Sequence, residues 1–333
     1  MSTTKTIAVD VGFGNTKFAF PLGADIATRM FPSLAPTRSA SSLANHGDGY
    51  FQSRDVVHVT VDGAEYEVGP DVSITSAYGN TGRTLSEDFV TTPEYAALLF
   101  GALHYSQARD VGQLILGLPV HTLQKYAGVL QERFAGTHDF GAGSVSIKRV
   151  VALPQPLGSL VTFMRQSGKD LDPDDNCLIV DVGYFTTDWV VARGYMMDDT
   201  RSGGVPGGSS RIYQQVAQLL SADEGGEPSG SIERIDKSLR DGKLMRYYNK
   251  MVDLRPYFEV AKAQCQTAVK EMQTRVGRTE DIAAIVLTGG GSALYSGAIR
   301  AAFPRSHIVA MESPCYANVR GFFDIGSARQ ARG

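Results

Sequence analysis

Cysteine is scarce, with three residues in 333, at positions 177, 265 and 315. Their number is odd and their spacing matches no metal-binding pattern, so neither a disulfide framework nor a zinc site is expected. Cys177 and Cys265 sit in apolar-periodic segments and read as buried free thiols of a reducing compartment. Nowhere does an uncharged apolar run reach the roughly 18 residues that a membrane-spanning helix needs. The opening MSTTKTIAVD lacks the apolar core of a secretory signal. The expected location is therefore cytoplasmic, with no membrane partner. There is no basic block either: 32 Lys and Arg stand against 35 Asp and Glu, a net charge of −3. A direct grip on bare DNA or RNA rests on clustered Lys and Arg that release counterions, so no direct nucleic-acid contact is expected. Two phosphate-binding signatures are also missing. No GxxxxGK[ST] occurs, which excludes a P-loop, and the GxGxxG spacing of a dinucleotide fold is absent.

What is present is a phrase used twice. VDVGFGNT begins at Val9, and VDVGYFTT begins at Val180. Each reads as strand, tight turn, strand. At about 150 residues per domain, the length suggests two domains, one phrase in each. An apolar fraction of 43% with 20% charged residues is ordinary for a globular protein with two cores. From the duplication, the two phrases are expected to face each other across a cleft.

The pattern along the chain is α/β. Residues 6–20 form the first hairpin. A loop-rich stretch, FPSLAPTRSASSLANHGDG, follows. DVVHVTVDGAEYEVG then reads as two alternating strands joined at Asp62–Gly63, a strong hairpin signal. Residues 21–69 thus read as a small β-rich insertion. Helical spacing appears at 93–108 and 121–134, strands at QLILGLPV and 144–152, and a helix start within 154–164. In the second half, CLIVDVGYFTTDWVVA repeats the strand–turn–strand pattern, and SGGVPGGSS reads as a flexible glycine connector. Helices are expected at 211–220, 231–249 and 257–276, the last two broken at Pro256. IAAIVLTGGGSALYSGAIRAAF reads as strand, triple glycine and helix, and a terminal helix spans 318–331.

The repeated phrase carries chemistry. A glycine-containing hairpin exposes backbone N–H groups that cradle phosphate oxygens. In the first copy these are Gly12 and Gly14, with hydrogen bonds added by Asn15 and Thr16 and a point charge by Lys17. Asp10 repels phosphate by itself, but makes sense beside a hydrated Mg²⁺, which is typically held by one or two carboxylates plus substrate phosphates. Asp181 is the matching carboxylate, with Gly183, Thr186 and Thr187 around it. Alone, each phrase reads better as an edge hairpin with turn-forming Asp and Gly. Two copies in matching places turn the reading toward nucleotide binding. A third signal is Gly289–Gly290–Gly291–Ser292, after an apolar strand and at a helix start, where backbone approaches a ligand closely and a helix N-terminus favours an anion. A plain strand–helix turn with Ser292 as N-cap fits that segment as well.

Taken in order, Asp10–Gly12–Lys17, Asp181–Gly183–Thr186 and Gly289–Gly290–Gly291 resemble the actin-like ATPase superfamily, with the ParM/StbA plasmid-segregation actins as the nearest likeness. Further family-like phrases are FPS, AEYEVG, GLPV, VVALPQPLG and NVRGFFDIG. The resemblance implies an actin-like (ribonuclease H-like), duplicated two-lobe fold with a nucleotide cleft between lobes. Lobe I would span 1–150, with its small subdomain at about 21–69 and the C-terminal helix 318–333 completing it. Lobe II would span 151–317, with a small helical subdomain at about 206–277. It also implies ATP (GTP possible) with Mg²⁺ bound through waters by Asp10 and Asp181, and nucleotide-dependent filaments of the protein itself. The filaments would segregate plasmids through a separate DNA-binding adaptor. Gln155 gains a role only through the resemblance, as the residue that orients the attacking water. Catalysis is thus expected of Gln155, Asp181 and Asp10. Tyr184 and Phe185 depart from the family pattern, which usually has another glycine there.

Alternatives on the same fold are a small-molecule kinase or another non-polymerising ATPase. A kinase needs a carboxylate as general base near the transferred phosphate. Asp188 is the nearest extra one, but its place on the outgoing strand suits hairpin support better. A chaperone ATPase would carry a further substrate-binding domain, and a scaffold that does not hydrolyse nucleotide is the fourth reading, raised by Tyr184 and Phe185.

Overall fold

The computed structural model describes residues 5–38, 54–72, 86–167, 175–225 and 232–330. The chain divides into two compact units. Of the described residues, one unit holds those up to 166 together with those from 316 onward, and the other holds those between 167 and 315.

In the first unit, β1 (Lys5–Val11), β2 (Asn15–Leu22) and β3 (Asp25–Pro32) form an antiparallel meander. β4 (Val57–Val61) and β5 (Ala64–Val68) make a separate two-stranded sheet. Asp62 and Gly63 both take left-handed φ at its turn, as a two-residue hairpin loop requires. β6 (Asp110–Leu118) lies parallel to β1, and β9 (Val150–Pro154) lies parallel to β6. β7 (Gly136–Asp139) and β8 (Ser144–Ile147) extend the sheet beside the start of β6. Helices α1 (Pro93–Tyr105), α2 (Leu123–Phe134) and α3 (Gln155–Ser167) follow their strands. Helix α1 starts where Thr92 accepts the Tyr95 N–H at 3.2 Å and Pro93 supplies a preset φ.

The second unit repeats the plan. β10 (Asn176–Val182), β11 (Thr186–Arg193) and β12 (Met196–Pro206) form the meander. α4 (Ser209–Glu224) and α5 (Ile232–Asp241) follow, then the short hairpin β13 (Met245–Tyr247) and β14 (Lys250–Val252), then α6 (Arg255–Ala261) and α7 (Gln266–Val276). β15 (Ile282–Thr288) runs parallel to β10, α8 (Ser292–Ala302) returns, and β16 (Ile308–Ala310) runs parallel to β15. In both units the first strand sits between its hairpin partner and a parallel strand.

Helix α9 (Ala317–Gln330) closes the first unit rather than the second. Its Val319, Phe322 and Phe323 pack on Ala8, Ala19, Ile115 and Val151. The other sheet face carries Ile7, Val9 and Val11 into the main core. This alternation puts Asp10 on the same face as Ala8. Helices α3 and α9 cross backbone to backbone: a Cβ on Gly321 would collide with the Gly158 carbonyl, and one on Gly158 with the Asn318 carbonyl. Ser159 donates to Asn318 Oδ1 at 2.6 Å, and Thr162 donates to the Ala317 carbonyl at 2.7 Å.

Several local expectations change. Residues 25–32 are a third sheet strand, so the small β element is confined to β4 and β5 among the described residues. The strand expected at 144–152 is two, β8 and β9, and β7 was not foreseen. The helix expected over 231–249 stops at Asp241, because Gly242 takes a left-handed φ of 64° there. Met245 and Tyr247 then alternate inward in a hairpin. The first division of the chain falls after residue 166, whereas the sequence placed it at 150. The reason is that α3 is held by α9. The connector at 202–210 is not flexible: β12 runs to Pro206, and the next two glycines are tied down, as described below. Cys177 and Cys265 are buried free thiols, and desolvation pushes both thiols up. No helix among the described residues is long and apolar enough to cross a membrane.

Candidate functional site

The first glycine hairpin is built by β1 and β2, with Asp10 opposite Lys17 and Val11 opposite Thr16. Asp10 is 1% exposed. A bare buried carboxylate is costly, and two groups of the same unit meet it. Lys17 Nζ lies 3.4 Å from Oδ2, and Gln155 Nε2 donates to Oδ1 at 2.7 Å. Gln155 is the first residue of α3, directly after β9, so the strand end delivers it beside Asp10. Gly117 of β6 makes room: a Cβ there would lie 3.1 Å from Asp10 Oδ1 and 3.3 Å from Gln155 Cγ.

Ser33 braces the turn. Its hydroxyl donates to the Gly12 carbonyl at 2.5 Å and meets Thr16 Oγ1 at 2.9 Å, while its N–H donates to the Gly14 carbonyl at 3.0 Å. Thr16 Oγ1 is thereby tied to Ser33 within the hairpin. Phe13 at the tip stacks on Phe89, with ring centroids 5.2 Å apart. Asn15 opens β2 at the mouth of the turn.

The second hairpin, in the other unit, has the same frame and different supports. A Cβ on Gly183 would lie 3.2 Å from the Thr186 carbonyl, as one on Gly12 would lie 3.1 Å from the Asn15 carbonyl. The Gly183 N–H donates to that Thr186 carbonyl at 2.9 Å. Where the first hairpin sets Lys17 opposite Asp10, the second sets Asp188 opposite Asp181. These carboxylates are 1% and 6% exposed respectively. Cross-strand like charges destabilise unless something intervenes.

Gly207 and Gly208 both donate their N–H groups to the Phe185 carbonyl at 2.9 Å. The first N–H groups of α4 point the same way: Ser209 donates to Gly183 O at 3.0 Å and Ser210 to Tyr184 O at 2.9 Å. Thr187 Oγ1 and the Tyr295 hydroxyl each donate to the Gly207 carbonyl at 2.7 Å. Burial raises the Tyr295 hydroxyl well above its ordinary value, which keeps it a donor. The Tyr184 ring lies 6.4 Å from that of Tyr213 on α4. The Tyr184 ring is thus packed against the core of this unit.

The triple glycine joins the same hairpin. Gly289 has φ 84°, and a Cβ there would collide with Asp181 Oδ1 and the Val182 carbonyl. The Gly291 N–H donates to Val182 O at 2.9 Å. Gly291 is the N-cap of α8 and Ser292 its first helical residue, one place on from the expected cap. Gly290 has open space around its Cα.

The structure thus gathers Asp10, Gly12, Gly14, Asn15, Thr16, Lys17 and Gln155 in one unit, and Asp181, Gly183, Thr186, Thr187, Gly289, Gly290, Gly291 and Ser292 in the other. Ser33, Gly117, Gly208 and Asp188 complete these frames. The phrases FPS, GLPV and SGGVPGGSS were their signals in the sequence, although none states what the residue does. Among the described residues no three His, Cys, Asp or Glu side chains converge into a ready-made metal cage.

Comparison with known proteins follows the same division. Residues 8–158 match the family model of the actin-like proteins' N-terminal domain, and residues 179–300 match that of the C-terminal part of the archaeal, MreB-like actin homologue. No curated protein sequence matches the chain. The crystal structure of Ta0583, an archaeal actin homologue, superposes with a TM-score of 0.77 at 18% identity, covering 98% of this chain and 100% of that one. Its complex with ADP superposes with a TM-score of 0.72 at 18% identity, with the same coverage. A 15-stranded ParM filament from Clostridium botulinum gives 0.77 at 19% identity, covering 98% and 99%. At such identities these likenesses speak for the fold. Two matched family models, one in each unit, and a shared fold along nearly the whole length establish that this chain belongs to the actin-like superfamily.

Proposed function

We propose that this protein is an ATPase that assembles into nucleotide-dependent filaments, with Mg²⁺ as its metal and the cytoplasm as its location. The observation that carries the reading is the hydrogen bond from Gln155 Nε2 to Asp10 Oδ1 at 2.7 Å. It joins the residue suited to position water to the carboxylate at the base of a phosphate-type hairpin. Because the amide nitrogen is committed to Asp10, the carbonyl Oε1 is left as the acceptor that turns a water. That water attacks the γ-phosphorus, the bond to the bridging oxygen breaks, and ADP and phosphate leave. The backbone N–H groups around Gly12–Lys17 hold phosphate oxygens for one unit, and those of Gly183–Thr187 and Gly289–Ser292 do so for the other.

The donor set fits a hydrated magnesium ion. Asp181 in the second unit is a hard oxygen ligand at a strand end, and Asp10 is its counterpart in the first. When bound, Mg²⁺ supplies charge neutralisation on the phosphates. Lys17, 3.4 Å from Asp10 Oδ2, adds positive charge at the hairpin.

Filament assembly is supported by the ParM filament and nucleotide binding by the ADP complex among the similar structures. Plasmid segregation through a separate DNA-binding adaptor extends the same likeness. The deciding experiment follows light scattering, sedimentation and phosphate release together, with Mg-ATP, Mg-ADP or no nucleotide. ATP-dependent sedimentation with phosphate release is expected. Phosphate release without sedimentation across protein and salt concentrations would leave a non-polymerising ATPase or a kinase in its place.

A further inference from the structure

We propose that the first unit carries a second ligand site, a basic pocket for a small polyvalent oxyanion, set apart from the glycine hairpin. The pocket encloses about 560 Å³ and is lined by Arg29, His104, Tyr105, Gln107, Arg109 and Phe140, with Ala108 at its wall. Two arginines and a histidine line it, and among the described residues no Asp or Glu does. Guanidinium forks match carboxylate and phosphate oxygens in pairs. Asp55 accepts the Tyr105 hydroxyl at 3.0 Å.

Both arginines are held. Arg29 leaves β3 with its guanidinium 5.7 Å from the centre of the Phe20 ring, and Arg109 Nη1 reaches the Ser144 carbonyl at 3.5 Å. Gly143 makes space for the latter, since a Cβ there would lie 2.8 Å from Nη1. Phe140 is fixed by stacking on Phe100, with centroids 5.3 Å apart and planes 8° from parallel. Two ring contacts thus set posts around the pocket.

A second observation points to the same place. Helix α1 ends with the Ala108 N–H on Leu103 O at 3.2 Å and the Gln107 N–H on His104 O at 2.9 Å. That pattern calls for a left-handed residue at the Gln107 position, usually glycine. Here it is a glutamine at φ 55°. Asp62 and Tyr248, also left-handed, sit at tight hairpin turns, and Ser313, the fourth such residue among those described, sits in a bend just before Pro314. A non-glycine residue kept where glycine is cheaper marks a side chain with another use, and this one lines the pocket.

The test is calorimetric titration of pyrophosphate into the full chain, with ADP present throughout so that any nucleotide site is filled. Citrate in parallel tells a polycarboxylate ligand from a phosphate-bearing one. One saturable pyrophosphate or citrate site is expected, weakened about tenfold or more by Arg29→Gln and again by Arg109→Gln. Gln107→Gly is expected to raise the thermal midpoint and weaken the same site, a combination that a purely structural glutamine does not produce. Absence of saturable binding for both probes at millimolar concentration, or binding that survives both arginine substitutions, overturns the proposal. A Gln107→Gly protein with full affinity overturns the role of Gln107. Because the arginine variants report on the pocket alone, the outcome is independent of whether ADP binds.

Discussion

Gln155 and Asp10 are 145 residues apart in the chain, and the side-chain amide of one donates to the carboxylate of the other at 2.7 Å. The contact exists because β9 and β1 both flank β6, and because α3 begins the moment β9 ends. Gly117, on the strand between them, has no side chain to interfere.

Replacing Gln155 by Ala is expected to keep nucleotide binding and slow phosphate release by about a hundredfold, the scale of a lost positioned water partner. Single-turnover phosphate release beside a nucleotide-binding titration checks this. Unchanged turnover would return Gln155 to the role of a helix-start residue.

Asp181→Ala is expected to abolish the magnesium dependence of nucleotide binding, since it removes the carboxylate under the second hairpin. Binding titrations with and without Mg²⁺, beside a melting curve, separate lost ligation from lost folding. Full Mg-dependent binding in this variant would sink the magnesium assignment.

Gly321→Ala is expected to destabilise the first unit by about 3 kcal/mol, the upper range for overpacking. The added methyl meets the Gly158 backbone, which is held in the first turns of α3. Denaturant unfolding reports the loss, and phosphate release should fall as well because Gln155 starts that helix. A stability within error of wild type would contradict the close crossing.

Arg201 on β12 pairs with Asp281 at 2.6 Å and also donates to the Val276 carbonyl at 2.9 Å. The hydrogen bond from Arg201 holds the Asp281 carboxyl below its ordinary value. A depressed carboxyl contributes stability that is present above its unfolded value, roughly pH 4, and is lost as pH falls through the folded one. Asp281→Asn should therefore cost less than about 1 kcal/mol at pH 7, because the pair is partly solvated. That difference from wild type should vanish in acid. Unfolding curves at neutral and acid pH decide it, and a gap that persists at low pH would disprove the linkage.

Much of this was legible in the sequence. The duplicated VDVG phrase located both hairpins, and Asp62–Gly63 located a third, because turn chemistry is local. The triple glycine was legible for the same reason, since few other residues adopt the φ of Gly289. The short strands were harder to read. β7 and β16 have little burial of their own to impose a period, and the hairpin at 245–252 sits in a polar stretch that suits helix equally. Ser33, Gly208 and Asp188 were hidden because their function is to hold another residue's backbone or charge.

By itself the sequence determined the two glycine hairpins, their strand-end aspartates and the helix-start glycines, since these follow from φ preferences and alternation within a few residues. Only the tertiary structure decided what those groups face. It set Lys17 opposite Asp10 but Asp188 opposite Asp181, brought Gln155 to Asp10, and gave the last helix to the first unit. Those outcomes depend on strand register and on which helix backbones approach closely enough to need glycine, and both are settled by packing between segments far apart in the chain.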